Sequence, residues 1–310
     1  MALFDRAIVR LLPAVPRPVV ERLSSRYIAG PELADATRVV QELNARGKLA
    51  TIDVLGEEVT TADQARAIVV AYEDVFEEID RCGLGATVSV KLTALGLKLG
   101  QDLCRANLEH VVGHAAERDN FVRIDMEDAS TTDAALELYR GLRAAGHRNV
   151  GIVLQASLRR TLADVRDLAE LRPNVRLTKG IYVESPTIQF HDFDAVRASF
   201  VKALDGLLEA RCYVGVATHD DWLVEQGKRL VAEHGIGFDR HEFQLLLGVR
   251  PELGDRLVAE GHRLRIYVPF GREWYAYSMR RLQENPRVAG YIAADTVNRL
   301  LPGSRGNGVR

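Results

Sequence analysis

The sequence predicts an α/β protein, a (β/α)8 TIM-type barrel preceded by an N-terminal helical arm, and three observations lead there. One unit recurs along the chain: a short β-rich run, a turn, then a longer stretch of helical periodicity. The unit recurs eight times, and strands alternating with crossover helices call for a parallel sheet that eight units close most economically into a barrel. No long linker divides the 310 residues, a length that barrels of this class reach undivided.

Residues 1–48 form the arm, helical in pattern and broken by Pro13, Pro16, Pro18 and Pro31. Its first 15 residues carry Leu3, Phe4, Ile8, Leu11 and Leu12, interrupted by Asp5, Arg6 and Arg10. Those charges rule out a signal-peptide core and leave a short amphipathic helix, packed on the domain or lying against a membrane surface. The strand runs follow at 49–55, 86–92, 121–127, 150–157, 175–182, 213–218, 241–247 and 263–268. Between the first two, residues 61–81 place Ala65, Ile68, Val69, Tyr72, Val75, Phe76 and Ile79 on one helical face. That helix opens with a capping box, Thr61 and Gln64. Gly146 marks the end of the helix after the third strand. The barrel spans residues 49–285, and residues 286–310 read as a C-terminal helix and a frayed Gly- and Arg-rich tail.

An open doubly wound sheet is the competing fold, but Gly83-Leu84-Gly85 precedes a strand where a dinucleotide fingerprint follows one. A net charge of −2 argues against a nucleic-acid binder, which needs a strongly basic face. The three cysteines, Cys82, Cys104 and Cys212, are scattered, as in a reducing cytoplasm, and give no metal or disulfide pattern. His110 and His114 lie four apart on a helix and read as exposed or structural.

Function is signalled by polar residues on barrel strands, where interior positions are normally Val, Ile or Leu. Ser89, Lys91 and Thr93 share one parity of the second run, and Arg123, Asp125 and Glu127 one parity of the third. Gln155 comes from the fourth, Arg176, Thr178 and Tyr182 from the fifth, Thr218, His219 and Asp220 from the sixth, and Tyr267 from the eighth. Burying such groups unpaired costs several kcal/mol, and they gather toward the strand C-termini where barrel enzymes keep their chemistry. The structural alternative is an interior ion-pair network, such as Lys91 with Asp125, that merely fills the barrel. After the last strand, Tyr277, Arg280, Arg281 and Glu284 share roughly one helical face, either a solvated surface or an anion clamp above the barrel mouth.

The motifs Thr51-Ile-Asp-Val-Leu-Gly-Glu57, Val88-Ser-Val-Lys-Leu-Thr93, Val122-Arg-Ile-Asp-Met-Glu-Asp128 and Arg176-Leu-Thr-Lys-Gly-Ile-Tyr182 resemble the bacterial proline dehydrogenases. So do Ala217-Thr-His-Asp220, Glu242-Phe-Gln244, Tyr267-Val-Pro-Phe-Gly271 and Tyr277-Ser-Met-Arg-Arg281, in the family's order over residues 49–285. The resemblance implies an FAD-dependent barrel that oxidises L-proline to Δ1-pyrroline-5-carboxylate by hydride transfer to flavin N5. It further implies electrons passed to a membrane quinone, a peripheral position on the cytoplasmic side of the membrane, and a separate pyrroline-5-carboxylate dehydrogenase as a possible partner. Ending near the barrel's end, the chain resembles the monofunctional form.

By the same resemblance Arg280, Arg281 and Lys91 grip the proline carboxylate, with Asp125 and Glu284 holding the arginines and Tyr182 and Tyr267 packed around the ring. Asp125 and Arg176 are the implied catalytic pair, with Arg176 near flavin N5. Met126, Gln155, Lys179, Gly180, Ile181, Thr218 and His219 match further flavin-contacting positions, and no metal is implied. Ile181 departs from the small residue usual before the tyrosine, which bears on affinity. Tyr267, smaller in the branch that prefers hydroxyproline, implies a preference for proline. Two other classes stay open: a Schiff-base aldolase-type barrel using Lys91 or Lys179, and a non-catalytic scaffold.

Overall fold

A computed structural model describes residues 26–56, 59–275 and 278. Every predicted run forms a strand: β1 (Leu49–Val54), β2 (Ala86–Val90), β3 (Val122–Ile124), β4 (Val150–Gln155), β5 (Asn174–Thr178), β6 (Tyr213–Ala217), β7 (His241–Leu246) and β8 (Leu264–Phe270). They pair in sequence order, all parallel, and β8 returns to β1, so the sheet is a closed barrel. The helices are α1 (Leu33–Asn44), α2 (Ala62–Cys82), α3 (Gln101–Ala116), α4 (Thr132–Ala144), α5 (Thr161–Leu168), α6 (Phe193–Glu209), α7 (Asp221–Glu233) and α8 (Pro251–Ala259).

Local chemistry sets several boundaries. Thr61 and Gln64 close the predicted capping box on α2, the Thr61 hydroxyl accepting from the Gln64 amide at 3.2 Å. Gly146, at φ +99, follows the end of α4 as predicted. Of the arm, α1 lies within the described residues and packs over the seam between β8 and β1, where it completes the outer helical layer. The proposed amphipathic helix in residues 1–15, Glu57 and the tail at 286–310 lie outside the described residues.

The predicted strands overrun the observed ones by two or more residues at four C-terminal ends. The second run stops at Val90, the third at Ile124, the fourth at Gln155 and the fifth at Thr178. Alternation of polar and apolar residues continues past these points, so pattern alone cannot find the end. The chain leaves the ladder gradually: the Asp125 amide still donates to the Val90 carbonyl at 2.9 Å, and the Ser157 amide to the Lys179 carbonyl at 2.8 Å. Gly180, at φ +103, then turns the chain away from β5, which removes Ile181 and Tyr182 from the strand.

The two strand faces differ in kind. Ile52, Val88, Val90, Ile124, Ile152, Leu154, Leu177, Val216 and Phe243 are buried against the helices and form the apolar core. The opposite parity, directed into the barrel, carries Thr51, Asp53, Ser89, Arg123, Arg176, Glu242, Gln244, Arg265 and Tyr267. Long charged side chains fit because small residues stand opposite them. A Cβ on Gly151 would meet Arg123 Nη1 at 2.4 Å and the Asn174 carbonyl at 2.5 Å; one on Gly215 would meet Gln244 Nε2 at 2.5 Å.

At the N-terminal end of β7, His241 is fully enclosed by Phe238, Phe243 and His262. Its Nδ1–H donates to the Gly237 carbonyl at 3.0 Å, so its Nε2 accepts from His262 Nδ1–H at 3.2 Å. Burial holds both imidazoles below their usual range, and for His262 the neighbouring His241 adds to the effect. As pH falls through the ordinary imidazole range, the unfolded chain therefore takes up protons that the folded one refuses, and stability falls. Thermal unfolding followed from about pH 7 to about pH 5 should show a falling midpoint, with a shallower slope in His262→Phe. An unchanged slope in that variant would dismiss the pair as the cause.

Candidate active site

The interior side chains form one connected set of hydrogen bonds and ion pairs running from the N-terminal to the C-terminal end of the barrel. At the lower end, Arg265 Nε donates to Glu242 Oε1 at 2.8 Å, and its Nη1 to the Ala50 carbonyl at 2.7 Å. Tyr213 donates to Glu242 Oε2 at 3.0 Å, and Gln244 Nε2 to Oε1 at 2.5 Å. Burial pushes the Glu242 carboxyl up, but Arg265 and these donors outweigh it and hold the group below its ordinary value. Arg123 is held by neutral oxygens. It donates to the carbonyls of Ile152 and Asn174 and to the Asn174 side chain, and burial, with Arg176 nearby, pushes its guanidinium down to about 9.

Gln244 links this lower layer to the upper one, its Oε1 accepting from Arg176 Nε at 2.5 Å. The other Arg176 nitrogens reach Ser89 Oγ at 3.0 Å and Asp125 Oδ1. Asp125 Oδ2 accepts from the Tyr267 hydroxyl at 2.8 Å, and that hydroxyl accepts from Lys91 Nζ at 3.3 Å. Lys91 donates in turn to Asp53 Oδ2 at 2.6 Å. Both cations also lie near the Tyr267 ring, Arg176 at 5.2 Å and Lys91 at 5.9 Å from its centroid. The anticipated interior network is therefore present, with different partners. Lys91 pairs with Asp53, and Asp125 with Arg176; Tyr267 joins the two pairs.

Strand ends and the loops after them supply the rest. Gln155, the last residue of β4, donates to the Glu127 carbonyl at 2.9 Å, and Glu127 in turn accepts from the Thr93 amide at 3.0 Å. Met126, adjacent to Glu127 in sequence, is buried. Beyond β5, Lys179 lies 3.7 Å from Asp220, and Tyr182 is half-buried with its carbonyl held by Gln189 Nε2 at 2.7 Å. Thr218 is buried and accepts from the Asp220 amide, while His219 Nε2 accepts from the Leu246 amide at 3.0 Å. Ile181 is 41% exposed. Arg280, Arg281 and Glu284, with Tyr277, lie outside the described residues.

The set that could hold a dinucleotide cofactor is coherent in chemistry. Gln155 offers an amide, Lys179 a cation and Thr218 a hydroxyl, all at adjacent strand ends. Gly180 lets the chain pass close to Ser157 and Gln155 there: a Cβ on it would meet Ser157 Oγ at 2.2 Å and Gln155 Oε1 at 3.2 Å. These residues fit a planar ring with a phosphorylated tail. Among the described residues no group of three or more His, Cys, Asp or Glu is placed to hold a metal ion. His110 sits on the outer face, on Glu73, and His114 packs edge-on to Phe76. Burial pushes the Cys104 thiol up to about 12 and that of Cys212 up to about 11, so neither suits a nucleophile.

Sequence reasoning passed over Asp53, Glu242, Gln244 and Arg265 as site residues. The signal was available, because each shares its strand's interior parity with a polar neighbour: Asp53 with Thr51, Glu242 with Gln244, Arg265 with Tyr267.

Comparison with known proteins gives consistent results. The model of the family described as proline dehydrogenase matches residues 36–293. The proline dehydrogenase of Deinococcus radiodurans is 36% identical over 294 residues, covering 91% of this chain and 95% of that one. Proline dehydrogenase 1 of Bacillus subtilis is 38% identical over 267 residues, covering 86% and 88%. Among solved structures, proline utilization A from Bdellovibrio bacteriovorus, inactivated by N-propargylglycine, superposes with a TM-score of 0.81 at 21% identity. That superposition covers 96% of this chain and 38% of the other, and it supports the fold.

The interior pairing makes a direct prediction. Replacing Glu242 by Gln removes the carboxylate opposite Arg265 and leaves a buried cation uncompensated, which should cost about 3–5 kcal/mol of stability. Urea unfolding measures it. A midpoint unchanged from wild type would show that Arg265 is neutralised by other means.

Proposed function

This chain belongs to the proline dehydrogenase family and oxidises proline to Δ1-pyrroline-5-carboxylate, the first step of proline catabolism, and we propose that it does so with FAD held at the barrel mouth and a quinone as final acceptor. The observation that carries the cofactor reading is the polar ledge of Gln155, Lys179, Gly180 and Thr218 at the strand ends that also hold the buried Asp125–Arg176 pair. In the same reading Met126, Ile181 and His219 line the cofactor and Arg176 stands at its reactive edge. A bound flavin supplies the two-electron acceptor that no side chain here can provide.

The work left to the protein is to bind proline, orient it and keep water away. Proline brings a carboxylate and a small apolar ring. Lys91, Arg280 and Arg281 take the carboxylate through charge-assisted bonds, each contributing about 1.5–3 kcal/mol. Glu284 steadies the arginines. Asp125 is pinned on both oxygens, by Arg176 and Tyr267, so it fixes the height of the Tyr267 ring in the barrel. Tyr267 and Tyr182 then close around the pyrrolidine, and the bulk of Tyr267 leaves no room for a ring hydroxyl.

Passing electrons to a membrane quinone places the barrel at the inner face of the membrane as a peripheral protein. No helix among the described residues is long and apolar enough to cross one. A separate pyrroline-5-carboxylate dehydrogenase would consume the product. The Schiff-base alternative is disfavoured by the engagement of Lys91 with Asp53 and of Lys179 with Asp220, since attack on a carbonyl needs a neutral amine and a carboxylate partner favours the ammonium.

The test is the visible spectrum of the protein supplied with FAD, before and after anaerobic proline or trans-4-hydroxyproline. Flavin bands should appear and bleach faster with proline. Bands that persist after proline would remove the substrate assignment, faster bleaching by hydroxyproline the role of Tyr267, and a folded protein that takes up no flavin the cofactor.

A further inference from the structure

On the C-terminal side of the barrel, where α6 and α7 begin, two large rings are left open: Phe193 is 56% exposed and Trp222 is 44% exposed. Between them in space is Arg197, whose guanidinium lies 4.2 Å from the Phe193 centroid and 5.1 Å from that of Trp222. Arg197 is not free to swing away. Its Nε and Nη2 donate to the two carboxylate oxygens of Asp220 at 2.9 and 2.6 Å, a bidentate grip that fixes the plane of the fork. Asp220 is itself fixed, because it caps α7 by accepting from the Trp222 amide. The three side chains are therefore a preorganised aromatic–guanidinium stack built on two helix starts, with the rings partly open to solvent.

The surface adjoins the ledge assigned above to the cofactor. Lys179, next to Gly180, lies 3.7 Å from Asp220 and 5.7 Å from the Phe193 centroid. A cation thus stands between the turn at Gly180 and the aromatic–guanidinium stack. Planar heteroaromatic bases stack on such groups, and phosphate prefers the adjacent lysine. An apolar protein partner fits less well, since the centre of the patch is a charged guanidinium.

We propose that Phe193, Arg197 and Trp222 form the stacking platform for the adenine of the flavin dinucleotide, with Lys179 beside it for the diphosphate. The inference rests on the flavin reading and goes beyond it. It assigns this chain's preference for FAD over FMN, which lacks the adenylate, to three side chains outside the reacting centre.

The experiment titrates the purified full chain, stripped of flavin, with FAD, FMN and riboflavin, following flavin fluorescence. The variants are Phe193→Ala, Trp222→Ala and Trp222→Phe. Stacking on one ring corresponds to about a tenfold or greater change in affinity. Wild type should bind FAD at least about tenfold more tightly than FMN. Each alanine variant should lose about tenfold for FAD and nothing for FMN, and Trp222→Phe should restore most of the loss. Both positions are largely exposed, and thermal unfolding confirms that the variants fold. Unchanged FAD affinity in both alanine variants, or an equal loss for FAD and FMN, would overturn the platform while leaving the flavin reading in place. A wild-type protein that binds none of the three flavins would overturn the flavin reading itself, and the platform with it.

Discussion

Everything else in this molecule is arranged around charge buried inside a closed barrel. Arg123, Asp125, Arg176, Glu242, Arg265, Asp53 and Lys91 all lie in a space that barrels ordinarily fill with branched apolar side chains. An isolated ion there would cost several kcal/mol, against a total stability on the order of 5–15 kcal/mol. The cost is met by pairing: Arg265 with Glu242, Arg176 with Asp125, Lys91 with Asp53, and Arg123 with backbone carbonyls. Gly151 and Gly215 exist in this form because Arg123 and Gln244 occupy the volume that larger residues would take. Buried ion pairs are weak contributors to stability compared with apolar packing. Their retention here is best explained by what they hold at the mouth.

What they hold is the geometry of a binding surface. Gln244 orients Arg176, Arg176 orients Asp125, and Asp125 sets the hydroxyl of Tyr267, which also meets Lys91. In the proposed reading, the groups that face the substrate are thus the upper end of a hydrogen-bonded column whose lower end is Arg265 and Glu242. The outer architecture leaves this column undisturbed. With α1 covering the seam between β8 and β1, the helical layer is complete without help from the mouth.

The fold was legible because period and composition agree. Helix-facing residues such as Ile52, Val88, Ile152 and Val216 are apolar without exception along those strands, and the helices carry their own caps, as Thr61 and Gln64 show. Strand ends were less legible. Asp125 and Lys179 continue the alternation after the ladder has ended, and only the positive φ of Gly180 marks the departure. Much of the site was legible too, since a charged residue at an interior position is conspicuous. Its pairing was not, because sequence gives parity and not height. Lys91 and Asp125 are on neighbouring strands with the right parity, yet Asp53 on the other side claims Lys91. Likewise, nothing in the sequence spacing of Phe193, Arg197 and Trp222 reveals that the start of α7 brings the tryptophan beside the other two.

The central claim is that the interior ion pairs are kept for the site and not for the barrel. A double-mutant cycle on Asp53 and Lys91 tests it most directly, using Asp53→Leu, Lys91→Met and both together, with unfolding free energy and kcat/KM for proline measured on each. Each single variant should lose about 3–5 kcal/mol, because one charge is left alone, and the double variant should recover most of that. Its kcat/KM should nonetheless stay low by about tenfold to a hundredfold, the worth of one charge-assisted bond to the substrate carboxylate. A double variant that recovers both stability and catalytic efficiency would contradict the account, and would leave the pair as filling for the barrel.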